Sequence, residues 1–373
     1  MATDLRTTAN AENKLYKVMV VDDSAVARGI VTRTLDQEPD IEVVASAPNG
    51  LQALKAMRRH EIDVVVLDIE MPELDGMAAL PQLLAVDPDL KIVMASAASH
   101  RDADIAMKAM AIGAVDFVQK PSAGLGGAES FTAELVAKVR HHAACKAAET
   151  HGARKKTPVP PVKPVPAPRV RRRERDQAVP PDIIAIGSST GGPQALAEVL
   201  KNLDPSIRQP ILVTQHMPAS FTALLAEHMT RYSGRPASEA RDGDIPEPGH
   251  IYIAPGGKHL VVEPRAAGGL IIRLDDGPPE NSCKPAVDPM LRSLSRFCKE
   301  RLLAVILTGM GCDGLKGCGD VVGQGGRVLA QDRETSVVWG MPGAVAQAGL
   351  CSEILPLQKI GPAIVRIASG EGK

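Results

Sequence analysis

Gly187-Ser188-Ser189-Thr190-Gly191 follows the apolar run at 183–186 and precedes Pro193-Gln194-Ala195-Leu196. This is the pattern of a strand, a tight glycine turn and a helix start, with Ser189 at the centre of G-x-S-x-G. A serine so placed is lifted out of the backbone at the carboxyl end of a strand. The N–H groups that open the helix point at its reaction space. The chemistry this suits is acyl transfer, provided a base lies within hydrogen-bond reach and a third group orients it.

The nine histidines differ in where the pattern puts them. His60, His100, His141, His142 and His151 lie in the first half of the chain or the linker. His228 falls on a predicted helix, as a surface or interface residue. His250 and His259 flank a predicted hairpin at 251–258. His216 directly follows the strand-like run at 211–214, which brings it to the same sheet edge as Ser189. The run at 303–308 enters Gly309-Met310-Gly311-Cys312-Asp313-Gly314, whose glycines allow a sharp turn. Asp313 is the one acid in that loop. Asp242, Asp244 and Asp288 sit in proline-rich or turn-like surroundings and are expected at the surface. Ser189, His216 and Asp313 thus come from three strand ends, in the chain order Ser, His, Asp.

A second constellation lies in the first half. Asp22 and Asp23 end the run at 17–21, Asp68 ends 63–67, Ser96 ends 91–95, and Lys120-Pro121 follows 115–118. The carboxyl ends of parallel strands converge on one crevice. Three carboxylates there repel unless a cation joins them, and Mg²⁺ suits such an incomplete oxygen shell. The Ser96 hydroxyl and the Lys120 ammonium could hold a phosphoryl group on Asp68.

In both halves strands alternate with helical stretches, which predicts an α/β fold with doubly wound parallel sheets. Residues 154–173 hold six prolines and eight Lys/Arg with no acid, as in an extended, proline-stiffened linker. The 373 residues make two domains the default. A net charge of -1 and 2% aromatics argue against a nucleic-acid partner. No apolar run reaches the about 18 residues that span a bilayer, so membrane insertion is not expected. Residues 1–14 are polar and lack an apolar signal core, which predicts a cytoplasmic protein. The six cysteines (Cys145, Cys283, Cys298, Cys312, Cys318 and Cys351) form no C-x-x-C pair and read as scattered reduced thiols.

Asp22-Asp23, Leu67-Asp68-Ile69-Glu70-Met71-Pro72, Asp75-Gly76, Ser96 and Lys120-Pro121 resemble the receiver domain of bacterial response regulators. The resemblance implies a flavodoxin-like domain with Asp68 as phospho-acceptor. It implies Mg²⁺ held by Asp22, Asp23 and Asp68, and switch residues Ser96, Phe117 and Lys120. Ile186-Gly187-Ser188-Ser189-Thr190-Gly191-Gly192, Gln215-His216-Met217-Pro218, Ile253-Ala254-Pro255-Gly256, Asp276-Gly277-Pro278-Pro279 and the 307–314 loop resemble the chemotaxis protein-glutamate methylesterase family (CheB). That resemblance implies a Rossmann-like hydrolase domain with a Ser189–His216–Asp313 triad, Thr190 and Met310 near the oxyanion site, and no esterase cofactor. The expected substrates are methyl-accepting chemotaxis receptors, whose glutamate methyl esters are hydrolysed and certain glutamines deamidated. The expected phosphodonor is the chemotaxis histidine kinase CheA. The expected domains are a receiver at 16–135, a linker at 136–179 and a methylesterase domain at 180–370. Three other readings remain at this point: an adaptor that binds receptor tails, a response regulator of nucleic acid suggested only by the basic linker, and a thiol enzyme using Cys283 or Cys312.

Overall fold

The computed structural model describes residues 15–96, 100–120, 128–152 and 179–370. The expected linker at 154–173 lies outside them. Two compact units emerge, Met1–Ala97 with Ile112–Thr157, and Ala98–Ala111 with Pro158–Lys373.

The first unit is built on β1 (Tyr16–Val21), β2 (Ile41–Ala47), β3 (Val64–Asp68), β4 (Lys91–Ser96) and β5 (Asp116–Gln119), with α1 (Ala25–Asp36), α2 (Gly50–Met57), α3 (Gly76–Val86) and α5 (Ala128–Gly152), while α4 (His100–Ile112), between β4 and β5 in the chain, falls in the second unit except for Ile112. The strands pair in parallel in the order β2-β1-β3-β4-β5, the flavodoxin-like arrangement. The continuous Val/Ile/Leu runs are explained by burial on both faces of the sheet. β3 is buried throughout. Ser24, Asn49 and Asp75 cap α1, α2 and α3 with side-chain oxygens, which satisfies N–H groups that the first turn leaves over.

One expected boundary is corrected. Residues 136–152 continue α5 rather than starting a linker. Phe131, Leu135, Val136, Val139 and Ala143 recur at helical spacing and are buried in the core beneath β1 and β3, which holds the helix together past residue 135.

The second unit contains β6 (Ile183–Ser188), α6 (Gly192–Lys201), β7 (Ile211–Gln215), α7 (Ala219–Ser233), β8 (Ala237–Glu239), β9 (Ile251–Ile253), β10 (His259–Pro264), β11 (Leu270–Asp275), α8 (Val287–Cys298), β12 (Leu302–Ile306), α9 (Leu315–Gly323), β13 (Arg327–Gln331), α10 (Met341–Gln347), β14 (Glu353–Leu355) and α11 (Leu357–Ala368). Seven strands form one sheet in the order β14-β13-β12-β6-β7-β9-β8, parallel at every pairing. The chain starts at the middle strand β6 and winds to both sides, so the strand ends of β12, β6 and β7 lie side by side.

The hairpin expected at 251–258 is not formed. Ile251–Ile253 instead pairs in parallel with β7 and β8, and the antiparallel hairpin is β10–β11. Full burial of β9 places it in the sheet interior, where an exposed hairpin arm would be unsatisfied.

Candidate active site

Ser189 is the first residue beyond β6 and is half-buried. Its turn closes through Gly192 N–H to Ser189 O (2.7 Å) and is tied to the end of β12 by Ser189 N–H to Thr308 O (3.0 Å). Gly191 adopts φ 73° at the head of α6, a conformation glycine takes without strain. Gln215 Nε2 donates to Ser189 O at 2.8 Å, and Ser188 Oγ donates to Gln215 Oε1 at 2.6 Å. Gly309 packs against the serine. A Cβ there would run into Met341 Sδ and lie 2.8 Å from Ser189 Cβ, so only glycine lets the Gly309-Met310 backbone come this close. Thr190 is buried and Met310 half-buried. Among the described residues, the N–H groups of Thr190 and Met310 have no hydrogen-bond partner, as donors awaiting an oxyanion would.

His216 is the first residue beyond β7. Its Nε2 lies 2.7 Å from Asp313 Oδ2, with the two side chains 11% and 2% exposed. Asp313 sits on the loop between β12 and α9 and accepts four more N–H bonds: from Val287 (2.6 Å) and Asp288 (3.1 Å) at the start of α8, from Gly314 (2.9 Å), and from Asn281 Nδ2 (2.8 Å). α8 has no side-chain cap of its own. The Asp313 carboxylate serves that helix end instead, where its charge is favoured. Burial raises the Asp313 pKa, but the His216 bond and these N–H donors outweigh it and hold the carboxyl below its usual range. For His216, burial disfavours the imidazolium. The bond to Asp313, with a contact from Cys283, overcomes this and raises the pKa to about 9. Cys283 Sγ lies 3.3 Å from His216 Nδ1. Among the described residues, no hydrogen bond joins Ser189 Oγ to His216, as is common before substrate binds.

The expected triad members therefore meet at one sheet edge, while the other candidates are placed elsewhere. His228 is buried on α7 with its Nε2 3.5 Å from Asp104 Oδ1 of α4, the interface position rather than the surface one. Asp288 is also buried, contrary to its expected surface position. It is the second residue of α8, and accepts from Gly317 N–H (2.7 Å) and Asn281 Nδ2 (2.9 Å). Its burial, the largest influence, raises its pKa. Gln215, which stands in the Gln215-His216-Met217-Pro218 motif without an assigned role, and Asn281 also contribute to the site. The adjacency of Gln215 to His216 was the available signal for the first; the second had none.

In the first unit Asp22, Asp23 and Asp68 offer carboxylate oxygens all within 4.8 Å of one another. Lys120 Nζ lies 2.7 Å from both Asp22 Oδ2 and Asp68 Oδ1. Burial raises the Asp68 pKa and Lys120 only partly opposes it, so this carboxylate is short of positive charge. Ser96 Oγ is buried, without a hydrogen-bond partner among the described residues. A hard divalent cation and a phosphoryl group would supply what these groups lack. Phe117 is buried, with the Lys138 ammonium 5.0 Å from its ring centre.

The chain matches the CheB methylesterase family over residues 184–364 and the response regulator receiver domain over 18–125. It is 53% identical to a protein-glutamate methylesterase/protein-glutamine glutaminase of Azospirillum brasilense, over 97% of this chain and 95% of that one. It is 51% identical to a namesake from Paramagnetospirillum magneticum, over 95% and 96%. The crystal structure of the Thermotoga maritima CheB methylesterase catalytic domain is 41% identical and covers 51% of this chain and 100% of that one, with a TM-score of 0.49. Identity of this level along nearly the whole of both chains makes this protein a member of the CheB methylesterase family, with a receiver domain ahead of its methylesterase domain.

Proposed function

We propose that this chain is a phosphorylation-activated hydrolase that removes methyl esters from glutamates of chemotaxis receptors, releasing methanol, and converts specific receptor glutamines to glutamate. The observation that carries the catalytic part is the His216–Asp313 pair, held by five donors on the carboxylate, at the strand edge that presents Ser189. Ser189 Oγ attacks the side-chain carbonyl and His216 takes its proton at Nδ1. Asp313 keeps Nε2–H in place and stabilises the imidazolium. The N–H groups of Thr190 and Met310 receive the oxyanion. His216 then protonates the departing methanol or ammonia. Water, activated by the same nitrogen, cleaves the acyl-enzyme to glutamate and restores Ser189.

The receiver accepts a phosphoryl group on Asp68, and CheA is the donor. Asp22, Asp23 and Asp68 would hold Mg²⁺, which when bound would offset the negative charge of the phosphoryl oxygens. Lys120 and Ser96 bind those oxygens, and Phe117 responds as an aromatic switch. No described helix is long and apolar enough to cross a membrane, and the chain acts from the cytoplasm on the receptors' inner ends.

Methylated chemoreceptor membranes incubated with the purified protein should release methanol, and Ser189→Ala should release none. Turnover retained in Ser189→Ala would reject the serine. An inactive wild type would leave the receptor-tail adaptor in its place.

A further inference from the structure

The loop before α8 holds a backbone that its sequence does not favour. Glu280 N–H donates to Cys283 O (3.1 Å) and Cys283 N–H to Glu280 O (3.0 Å), which leaves Asn281 and Ser282 as the two central residues of a tight turn. Both have positive φ, 53° and 63°, as a type I′ turn requires. Asparagine tolerates this region; serine does so only where its surroundings fix it. Those surroundings are present. Arg292 of α8 grips the Glu280 carboxylate with two bonds, at 3.0 and 2.8 Å. Asn281 Nδ2 bridges Asp288 and Asp313. Strain of this kind gathers at functional sites, and its result is specific: it sets the Cys283 thiol against His216 Nδ1.

That contact uses the one ring nitrogen that Asp313 leaves open. A base for Ser189 must take the proton at the same atom. The Cys283 sulfur and the serine hydroxyl therefore compete for a single ring nitrogen.

We propose that Cys283 is a positioning residue for the esterase base: in the resting site its thiol holds Nδ1 of His216, keeps the ring turned with Nε2 on Asp313, and yields that nitrogen to Ser189 when the ester binds. This rests on the Ser189–His216–Asp313 reading above. Only a proton moves, between S–H with a neutral imidazole and thiolate with an imidazolium, and no heavy-atom bond forms. The groups facing the ring are Asp313 at Nε2 and Cys283 at Nδ1, with Glu280 and Asp288 acting on Asp313 from the loop and from α8. The thiol contact favours the charged ring, so removing sulfur makes His216 easier to deprotonate.

The test is the pH profile of kcat/KM for methanol release by the full chain, Cys283→Ala and Cys283→Ser. The rising limb of Cys283→Ala should have its midpoint at least about half a pH unit lower, roughly threefold in proton affinity. Cys283→Ser should not recover the shift, since a hydroxyl that stays protonated cannot supply the negative charge that favours the imidazolium. A second readout stands if Cys283→Ala fails to fold. Iodoacetamide, which forms an S–C bond and expels iodide, should modify Cys283 at least about tenfold faster in the wild type than in His216→Ala. Superimposable profiles, or equal alkylation rates, would overturn the proposal. Ser189→Ala separates it from the parent reading: methanol release should vanish while Cys283 alkylation keeps its wild-type rate. Methanol release surviving in Ser189→Ala would overturn the parent reading, and this proposal with it.

Discussion

His216 Nε2 meets Asp313 Oδ2 at 2.7 Å, although the two residues come from loops on opposite sides of the strand that presents Ser189. The order β12-β6-β7 makes this possible without any long excursion of the chain. The start of α8 completes it, because its N–H groups and those of Gly314 and Asn281 fix the carboxylate before substrate arrives. A group fixed in advance costs no reorganisation during the reaction.

Asp313→Asn should therefore be a severe lesion with little change in shape. An amide nitrogen would face donors now satisfied by carboxylate oxygen, and the imidazolium would lose its counter-charge. Turnover should fall by roughly 10³–10⁴-fold, read as steady-state methanol release from protein whose circular dichroism is unchanged. A loss of less than about tenfold would remove Asp313 from the triad.

The pH dependence follows from the raised pKa of His216. A general base must be neutral, so kcat/KM should climb with pH toward about 9 and fall about tenfold per unit below it. The same shift makes a stability prediction of opposite slope. A folded pKa above the unfolded value of 6.5 stabilises the native state fully below pH 6.5, and that stabilisation is lost as pH rises through about 9. The stability gap between wild type and His216→Gln, measured by urea unfolding, should be larger at pH 6 than at pH 9.5. A gap independent of pH would contradict the pairing.

Ser96 offers a test in the receiver. Its buried hydroxyl has no partner among the described residues, an arrangement that costs the resting protein about 1–3 kcal/mol. Ser96→Ala should raise the unfolding free energy of this domain by about 1 kcal/mol while weakening its response to a small phosphodonor. Destabilisation by Ser96→Ala would show that the hydroxyl is already satisfied.

Gly309→Ala tests the close approach of two backbones. The added methyl would press on Met341 and Ser189, displacing the nucleophile from the N–H of Met310. A shift of about 1 Å at a reacting centre can cost about 10²-fold in rate. Methanol release by folded Gly309→Ala should drop by at least that factor, and wild-type turnover would show that the contact is not needed.

Much of this was legible in the chain. Continuous runs such as Val64-Val65-Val66-Leu67 and Leu303-Ala304-Val305-Ile306 mark strands buried on both faces, and the polar residue ending each run marks the crevice. The sheet edge that gathers Asp22, Asp68 and Lys120, and the one that gathers Ser189 and His216, follow from that rule alone. What escaped depended on longer-range geometry. The proline-rich or turn-like surroundings of Asp288 suggest a surface position, yet a proline in a helix's first turn is compatible with the helix beginning there, and the start of α8 is buried. Three-residue β9 is too short to show whether its neighbours are parallel or antiparallel. Asn281 and the placement of Cys283 rest on two positive φ angles, which no spacing of residue types announces.

The most direct test of the account is methanol release from methylated chemoreceptor membranes, with and without a small phosphodonor and Mg²⁺, by wild type, Asp68→Asn and Ser189→Ala. The account predicts that phosphodonor raises release by the wild type, that Asp68→Asn keeps a basal rate without the response, and that Ser189→Ala releases nothing. A wild type indifferent to phosphodonor, or an Asp68→Asn protein that still responds, would contradict control of the esterase through Asp68.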